Sequence, residues 1–372
     1  MKKVYCIFLV LVVSIAILMT SLTVACTPAP VTSTATATST TTATKTTTNT
    51  ATTTATSVIK TIELRWTSQW VPTSDDAQGD MIMAKMISER TGGRVNATYF
   101  GTESLGKAAD WVNMLNGDVA QMGSLMLAVY PGVFELETIS DLPMLGIPDR
   151  NTLIDMMWEV YNKGYFKGLN QFKVMGFKGG APLVQFFGSK KVQTVEDYKG
   201  LKMRGSAPPF NAYYQALGAS TVAITGPEIY MAMDRGVIDG YSTAWAYVLS
   251  VKLNEVSKYC IWGPPIGIGG PSVVMSKKMW DSLPADIQKI IDQVIIDYKT
   301  EIKKFYADKD GVGFESLKKT GMDVYNLSDA ESARFKQIAD TVAQQWVAEK
   351  EAKGLPAKAA YETIKQFLAK PK

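Results

Sequence analysis

Arg204 is the residue of this chain whose setting best suits chemistry with an anion. It ends the short run Lys199-Gly200-Leu201-Lys202-Met203 and opens a turn-rich strand–helix–strand stretch that continues to Gly240. A guanidinium is charged at any working pH and presents a planar fork of donors, so it captures a carboxylate bidentately where a lysine offers a point charge. Two readings of Arg204 are open: a ligand anchor in a cleft, or a solvated surface ion pair, the commoner fate of a lone arginine. In a closed, water-poor cleft the loss of such a partner costs about 2–5 kcal/mol.

Other chemistry is narrowed by what the sequence lacks. There is no histidine, which removes histidine-dependent triads, histidine general bases and zinc sites built from His and Cys. Cys6 and Cys26 lie in the N-terminal segment, so Cys260 has no disulfide partner in the region that folds and reads as a small buried hydrophobe. The neighbouring carboxylates Asp75/Asp76 and Glu135/Glu137 are the groups an exported hydrolase would use, but no motif surrounds them and they read as solvated turns. The run Gly263–Pro271 contains no G-x-G-x-x-G pattern and leads into Val273-Val274, so it reads as a hinge segment entering a strand and not as a phosphate loop.

The elements that must position Arg204 follow from periodicity. Alternation predicts strands over Thr61–Trp66, Arg94–Phe100 and Val119–Met122, with helices beginning near Ser74-Asp75-Asp76 and over Gly106–Leu115. A second unit repeats the theme: strand Lys199–Met203, helix Phe210–Leu217, strand Thr221–Ile224, helix Gly226–Asp234, strand Val237–Asp239. Such alternation predicts an α/β fold with parallel or mixed sheets and a crevice beyond the carboxyl ends of the strands. The loops after the first and third strands then face the crevice, which makes Gln69, Trp70 and Ser124 candidates for the wall opposite Arg204. From Pro284, apolar residues Ile287, Ile291, Val294, Ile295, Tyr298, Ile302 and Phe305 hold helical spacing for about six turns, and the charged stretch from Asp329 reads as a packing helix. About 315 residues follow position 57, enough for two lobes of ordinary size. Their 36 basic and 35 acidic residues give no electrostatic footprint for nucleic acid.

Eight segments, in order, resemble the solute-receptor subunits of tripartite ATP-independent periplasmic (TRAP) transporters: Leu105-Gly106-Lys107, Asp141-Leu142-Pro143, Lys199-Gly200-Leu201-Lys202-Met203-Arg204, Ala216-Leu217-Gly218-Ala219, Pro227-Glu228-Ile229-Tyr230, Gly236-Val237-Ile238-Asp239-Gly240, Asn254-Glu255-Val256 and Leu283-Pro284-Ala285-Asp286. The resemblance covers nearly everything from about Ile59 onward. It implies a two-lobed periplasmic-binding-protein fold that closes like a hinged trap, with residues 58–181 and 270–309 in one lobe, 182–269 and 310–372 in the other, and the helix from Pro284 spanning both. It implies a receptor, not an enzyme, that binds a small organic acid and hands it to small and large membrane subunits. A binding protein serving an ATP-driven importer or a sensor remains the alternative. Arg204 takes the family's carboxylate position, and Gln185 stands where some relatives place a ligand-contacting glutamine.

This chain departs from the sialic-acid-type members. It lacks their second arginine near Val184 and their asparagine after the Asp239-Gly240 turn, where Tyr241, Thr243 and Trp245 follow. That replacement implies a monocarboxylate with an apolar or aromatic body, with Trp245 as stacking wall and Thr243 in the asparagine's place. No carboxylate stands near Tyr241–Tyr247, so no metal or other cofactor is expected; Glu228 and Asp239 read as a helix cap and a turn anchor.

The N-terminus has the layout of an export signal: Lys2 and Lys3, an apolar run from Val4 to Met19, and small residues before Cys26. The segment before Cys26 resembles a lipoprotein processing site, although Thr23 stands where leucine is usual, and a retained anchor remains the other reading. Residues 27–57 hold 17 threonines and a single charge, Lys45, and cannot bury enough apolar surface to fold. They read as a tether.

Overall fold

Ser74 caps the helix Asp75–Arg90: its hydroxyl accepts from the backbone of Ala77, and Asp75 and Asp76 place negative charge in the first turn, where the helix dipole favours it. The computed structural model describes residues 61–307, 309 and 312–370. The readings made for the signal, for Cys26 and for the threonine-rich tether lie outside the described residues.

Eleven strands run through the described chain: β1 (Ile62–Thr67), β2 (Val95–Phe100), β3 (Met122–Leu125), β4 (Phe172–Phe177), β5 (Leu183–Phe187), β6 (Lys202–Gly205), β7 (Ser220–Ala223), β8 (Gly240–Ala244), β9 (Tyr259–Gly263), β10 (Ser272–Ser276) and β11 (Asp323–Asn326). They form two sheets, in the orders β2-β1-β3-β10-β4 and β11-β9-β5-β8-β6-β7. The fold is α/β and two-lobed, one sheet to each lobe. Both sheets are mixed: β1 is parallel to β2 and β3, whereas β10 runs antiparallel to β3 and β4. In the second sheet β6 is parallel to β7 and β8, and β5 runs antiparallel to β8 and β9.

Alternate residues of each sheet feed two cores, as strands buried on both faces must. In the first lobe Met175, Val273 and Met275 face one core and Val174 and Val274 the other. In the second lobe Phe187, Met203 and Ile261 enter one core, and Val184, Phe186, Tyr241 and Cys260 the opposite one. Cys260 is a fully buried hydrophobe there, and burial pushes its thiol pKa well up.

Two strands of backbone join the lobes side by side. Lys178 donates its backbone N–H to Pro271 O at 3.0 Å, Gly180 to Gly269 O at 2.9 Å and Leu183 to Gly267 O at 2.8 Å. A side chain at Gly180 would meet the Gly269 carbonyl at 2.0 Å, so this approach requires glycine. The segment 263–271 is therefore one strand of a paired crossover, consistent with the hinge read from its glycines and prolines.

The long helices correct two expectations. Helix Ala285–Ala307 buries Ile287, Ile291, Val294, Ile295, Tyr298, Ile302 and Tyr306 in one core of the first lobe, so it does not span the lobes. The spanning helix is Asp329–Ala352. Its Phe335, Ala339 and Val342 enter the second lobe's core, and Ala343 and Trp346 join the first lobe's core together with Ala357, Ala360 and Ile364 of helix Ala357–Leu368. The end of the chain thus packs on the first lobe, not on the second as the sequence division has it.

Candidate functional site

Arg204 lies at the carboxyl end of β6, beside Val222 of β7. The parallel strand–helix–strand unit that holds it needs a tight turn into helix Pro208–Ala216, and Pro208 supplies a first helical residue whose φ is preset. Its Nε–H donates to the Ile224 carbonyl at 2.9 Å, which pins the side chain and leaves the terminal nitrogens of the fork facing outward from that bond. The guanidinium is half-buried and forms no ion pair among the described residues. Burial lowers its pKa from the ordinary value, and the phenols of Tyr247 and Tyr214 act in the opposite sense. A half-buried cation without a carboxylate is uncommon in a folded protein, and the surface-pair reading does not describe it.

Its surroundings are polar and mostly were not read from the sequence. Asn211 packs against Gly205, its Oδ1 3.1 Å from where a Cβ on that glycine would stand. Tyr247 sets its hydroxyl against Gly226, and Tyr214 lies beside Ser242. Asn211 and Tyr214 are three residues apart on the helix that follows Arg204, hence on one face of it. That spacing was the available signal.

The remaining candidates divide. Gln185 is 4 % exposed in β5, in register with Ser242, but its Oε1 accepts a hydrogen bond from the Tyr198 hydroxyl. Thr243 is half-buried in β8 opposite Val184. Tyr241 is a core residue: it is fully buried, stacks on Phe186 with ring centroids 5.2 Å apart, and shares a 2.8 Å hydrogen bond with Ser257. The residue next along the strand, Ser242, points to the other face of the sheet, the side of Gln185 and Tyr214, because successive side chains alternate. Trp245 is half-buried against helix Gly313–Lys318, and a side chain at Gly313 would meet its Nε1 at 2.6 Å and Trp262 at 2.6 Å. Glu228 caps its own helix by accepting from Thr225 N and Oγ1, and Asp239 accepts from Lys202 N at 2.7 Å, both as expected.

In the first lobe Trp70 and Gln69 follow β1. Trp70 is held through its carbonyl by Tyr99 Oη and Thr102 N, at 3.1 and 3.2 Å, with the Lys178 ammonium 4.8 Å from its ring centroid. Gln69 is half-buried, and its side chain makes no hydrogen bond among the described residues. Ser124 corrects the sequence reading: it is fully buried within β3, donates to Asp80 Oδ1 at 2.7 Å and accepts from Trp66 Nε1 at 3.1 Å. Its hydroxyl serves the interior.

Three of the four carboxylates weighed for hydrolysis are held by partners within the chain. Glu137 is buried, not solvated, and accepts from the backbone of Gly168 and Leu169; Glu135 ion-pairs with Lys350 and Lys353, and Asp75 with Lys309. A cavity of about 290 Å³ is lined by Leu142, Met144, Pro264, Ile268 and Lys336, and Arg204 does not line it. It is apolar, and its one cation is engaged by Asp340, so it offers an acid little.

Comparison with known proteins agrees with this architecture. Residues 69–350 match the family model described as bacterial extracellular solute-binding protein, family 7. The chain is 24 % identical over 321 residues to a monocarboxylate 2-oxoacid-binding periplasmic protein of a Nostoc species, covering 78 % of this chain and 84 % of that one. It is also 24 % identical to the C4-dicarboxylate-binding periplasmic protein of Rhodobacter capsulatus, covering 77 % and 86 %. Among solved structures, a TRAP solute binding protein from Rhodoferax ferrireducens in complex with copurified benzoate superposes with a TM-score of 0.76 at 23 % identity, covering 83 % of this chain and 98 % of that one. A TRAP periplasmic solute binding protein from Bordetella bronchiseptica with bound (R)- and (S)-mandelate gives 0.73 at 20 %, covering 82 % and 98 %. With its two mixed sheets, paired crossover and matched length, the chain belongs to the family 7 bacterial extracellular solute-binding proteins.

Proposed function

We propose that the protein is the extracytoplasmic receptor of a TRAP transporter, capturing a small monocarboxylate between its lobes and delivering it to the two membrane subunits. The observation that carries this reading is Arg204: half-buried, oriented by Ile224, and without a carboxylate among the described residues. A ligand carboxylate would take the terminal guanidinium nitrogens end-on, since Nε is engaged. Among the described residues no second cation acts on the group, so a second ligand charge would go unneutralised there. Relatives named for monocarboxylate 2-oxoacids and structures holding benzoate and mandelate support this class.

In this reading Arg204, Gln185 and Thr243 serve the second lobe, and Trp70 and Gln69 meet the ligand from the first. The halves that close are 58–181 with 270–309, against 182–269 with the start of helix Asp329–Ala352, bending at the paired crossover. Lipidated Cys26, with residues 27–57 as a spacer, would hold the receptor at the membrane, and the mass of the mature N-terminal peptide checks this. The function itself is tested by a thermal-shift screen of the purified protein against mono- and dicarboxylates, because a ligand that binds only the folded state raises Tm. Monocarboxylates should raise it, and a panel in which only neutral solutes or dicarboxylates do so contradicts the proposal.

A further inference from the structure

Met144 is carried on first-lobe chain but buried in the second lobe. Its neighbours Leu142 and Ile147 enter the first lobe's core, whereas Met144 joins the second-lobe core that holds Phe210, Tyr213 and Ile266. Its backbone N–H donates to Ile266 O at 2.7 Å, and Ile266 N–H donates to Leu183 O at 2.9 Å, so the loop lies as a third track beside the paired crossover. Tyr213, on the helix that follows Arg204, donates its hydroxyl to Met144 Sδ at 3.3 Å. To reach this seat the Met144 backbone takes φ +49°, a left-handed conformation that disfavours any residue with a Cβ. Such strain persists only where the surroundings over-determine it, and here the hydrogen bond, the sulfur contact and the burial do so.

We propose that Met144 is a clasp across the lobe junction, limiting how far the lobes swing apart before a ligand arrives. This rests on the reading that the lobes close on a captured acid. The covalent links between the lobes leave them free to rock, and a side chain rooted in one lobe and seated in the other restricts that motion. Every open arrangement denied to the free receptor is one that capture need not give up, so the clasp reduces the conformational entropy lost on binding. The seat also has slack. Met144 lines the cavity of about 290 Å³ together with Leu142, Ile147, Pro264 and Ile268, at the place where the first lobe's core meets the crossover. An unbranched thioether re-packs in such a space through its rotatable bonds, so the lobes can rock without unseating it.

The experiment is a pulsed electron–electron distance measurement on the unliganded protein, with nitroxide labels on Lys107→Cys and Ala223→Cys. Both positions are exposed, near the crevice ends of the edge strands β2 and β7, one in each lobe. Cys6→Ser and Cys26→Ser remove other labelling sites, and Cys260 is buried. Met144→Ala should widen the distance distribution about twofold and extend it to longer distances, and Met144→Leu, which refills the seat, should restore the width. Leu217→Ala truncates the same second-lobe core without lining the cavity, so it should lower Tm comparably and leave the width as it was. A width that Met144→Ala leaves unchanged, or that Leu217→Ala increases equally, overturns the inference. Amide exchange in the wild-type protein checks it without any substitution: the Met144 N–H should be protected as well as those of Leu183 and Ile266, and exchange at the rate of an open loop overturns the clasp. No ligand is added, so a failure of the capture reading leaves both results standing and shows instead in the thermal-shift screen.

Discussion

Lys178 and Asp80 form an ion pair with no solvent exposure on either side chain, Nζ to Oδ1 2.5 Å, at the crevice end of the first sheet. Lys178 follows β4 and leads into the crossover glycines. Its ammonium also donates to the Asp76 carbonyl at 2.8 Å, and Ser124 completes Asp80. Burial raises the Asp80 pKa, and Lys178 opposes that rise. Removing one partner should strand a buried charge. Lys178→Met is expected to lose about 3–5 kcal/mol of stability, and Lys178→Met with Asp80→Leu to recover much of it. Urea unfolding of the three variants measures this; a single variant as stable as wild type contradicts it.

Asp141 sits 8 % exposed at the crossover, its Oδ1 3.1 Å from where a Cβ on Gly269 would stand, and burial pushes its pKa up to about 7. In the unfolded chain the same carboxyl titrates near about 4. Below about 4 both states are protonated and the group is neutral to stability. Between about 4 and 7 only the unfolded state ionises, so Asp141 should destabilise the fold progressively as pH rises through that window, and by a constant amount above it. Asp141→Asn should therefore raise Tm at pH 8 more than at pH 4, which thermal unfolding at the two values checks.

Gly313 fits between Trp245 and Trp262, and any Cβ there would lie 2.6 Å from both indoles. Gly313→Ala should displace Trp245 and destabilise the protein by about 1–3 kcal/mol, as overpacking does. A variant with unchanged Tm and unchanged tryptophan emission would show that the indoles have room to move.

The strand–helix unit around Arg204 was legible because its punctuation is strong: proline at the helix start, glycines at the turns, short apolar strands. The neighbouring strands were less so. β3 begins at Met122, three residues later than Val119 suggests, because Val119 is exposed while Met122-Gly123-Ser124-Leu125 is buried on both faces and shows no alternation. β8 was placed at Val237–Asp239 for a similar reason: Gly240-Tyr241-Ser242-Thr243-Ala244 looks polar yet is central. Amphipathic spacing told that two long helices bury a face, not whose core receives it, so the spanning role fell to the wrong one. In the site, the charged residue was visible by type, but the meeting of Tyr214 with Ser242 and of Asn211 with Gly205 depends on register and burial, which spacing alone does not carry.

The most direct measurement of the central claim is calorimetric titration of wild-type protein and Arg204→Lys with a monocarboxylate that raises the wild-type Tm. The end-on fork should make lysine a poor substitute, with affinity lower by at least about thirtyfold, the low end of a 2–5 kcal/mol loss, and an unliganded Tm within a few degrees of wild type. Equal affinity in the two proteins would contradict Arg204 as the carboxylate anchor.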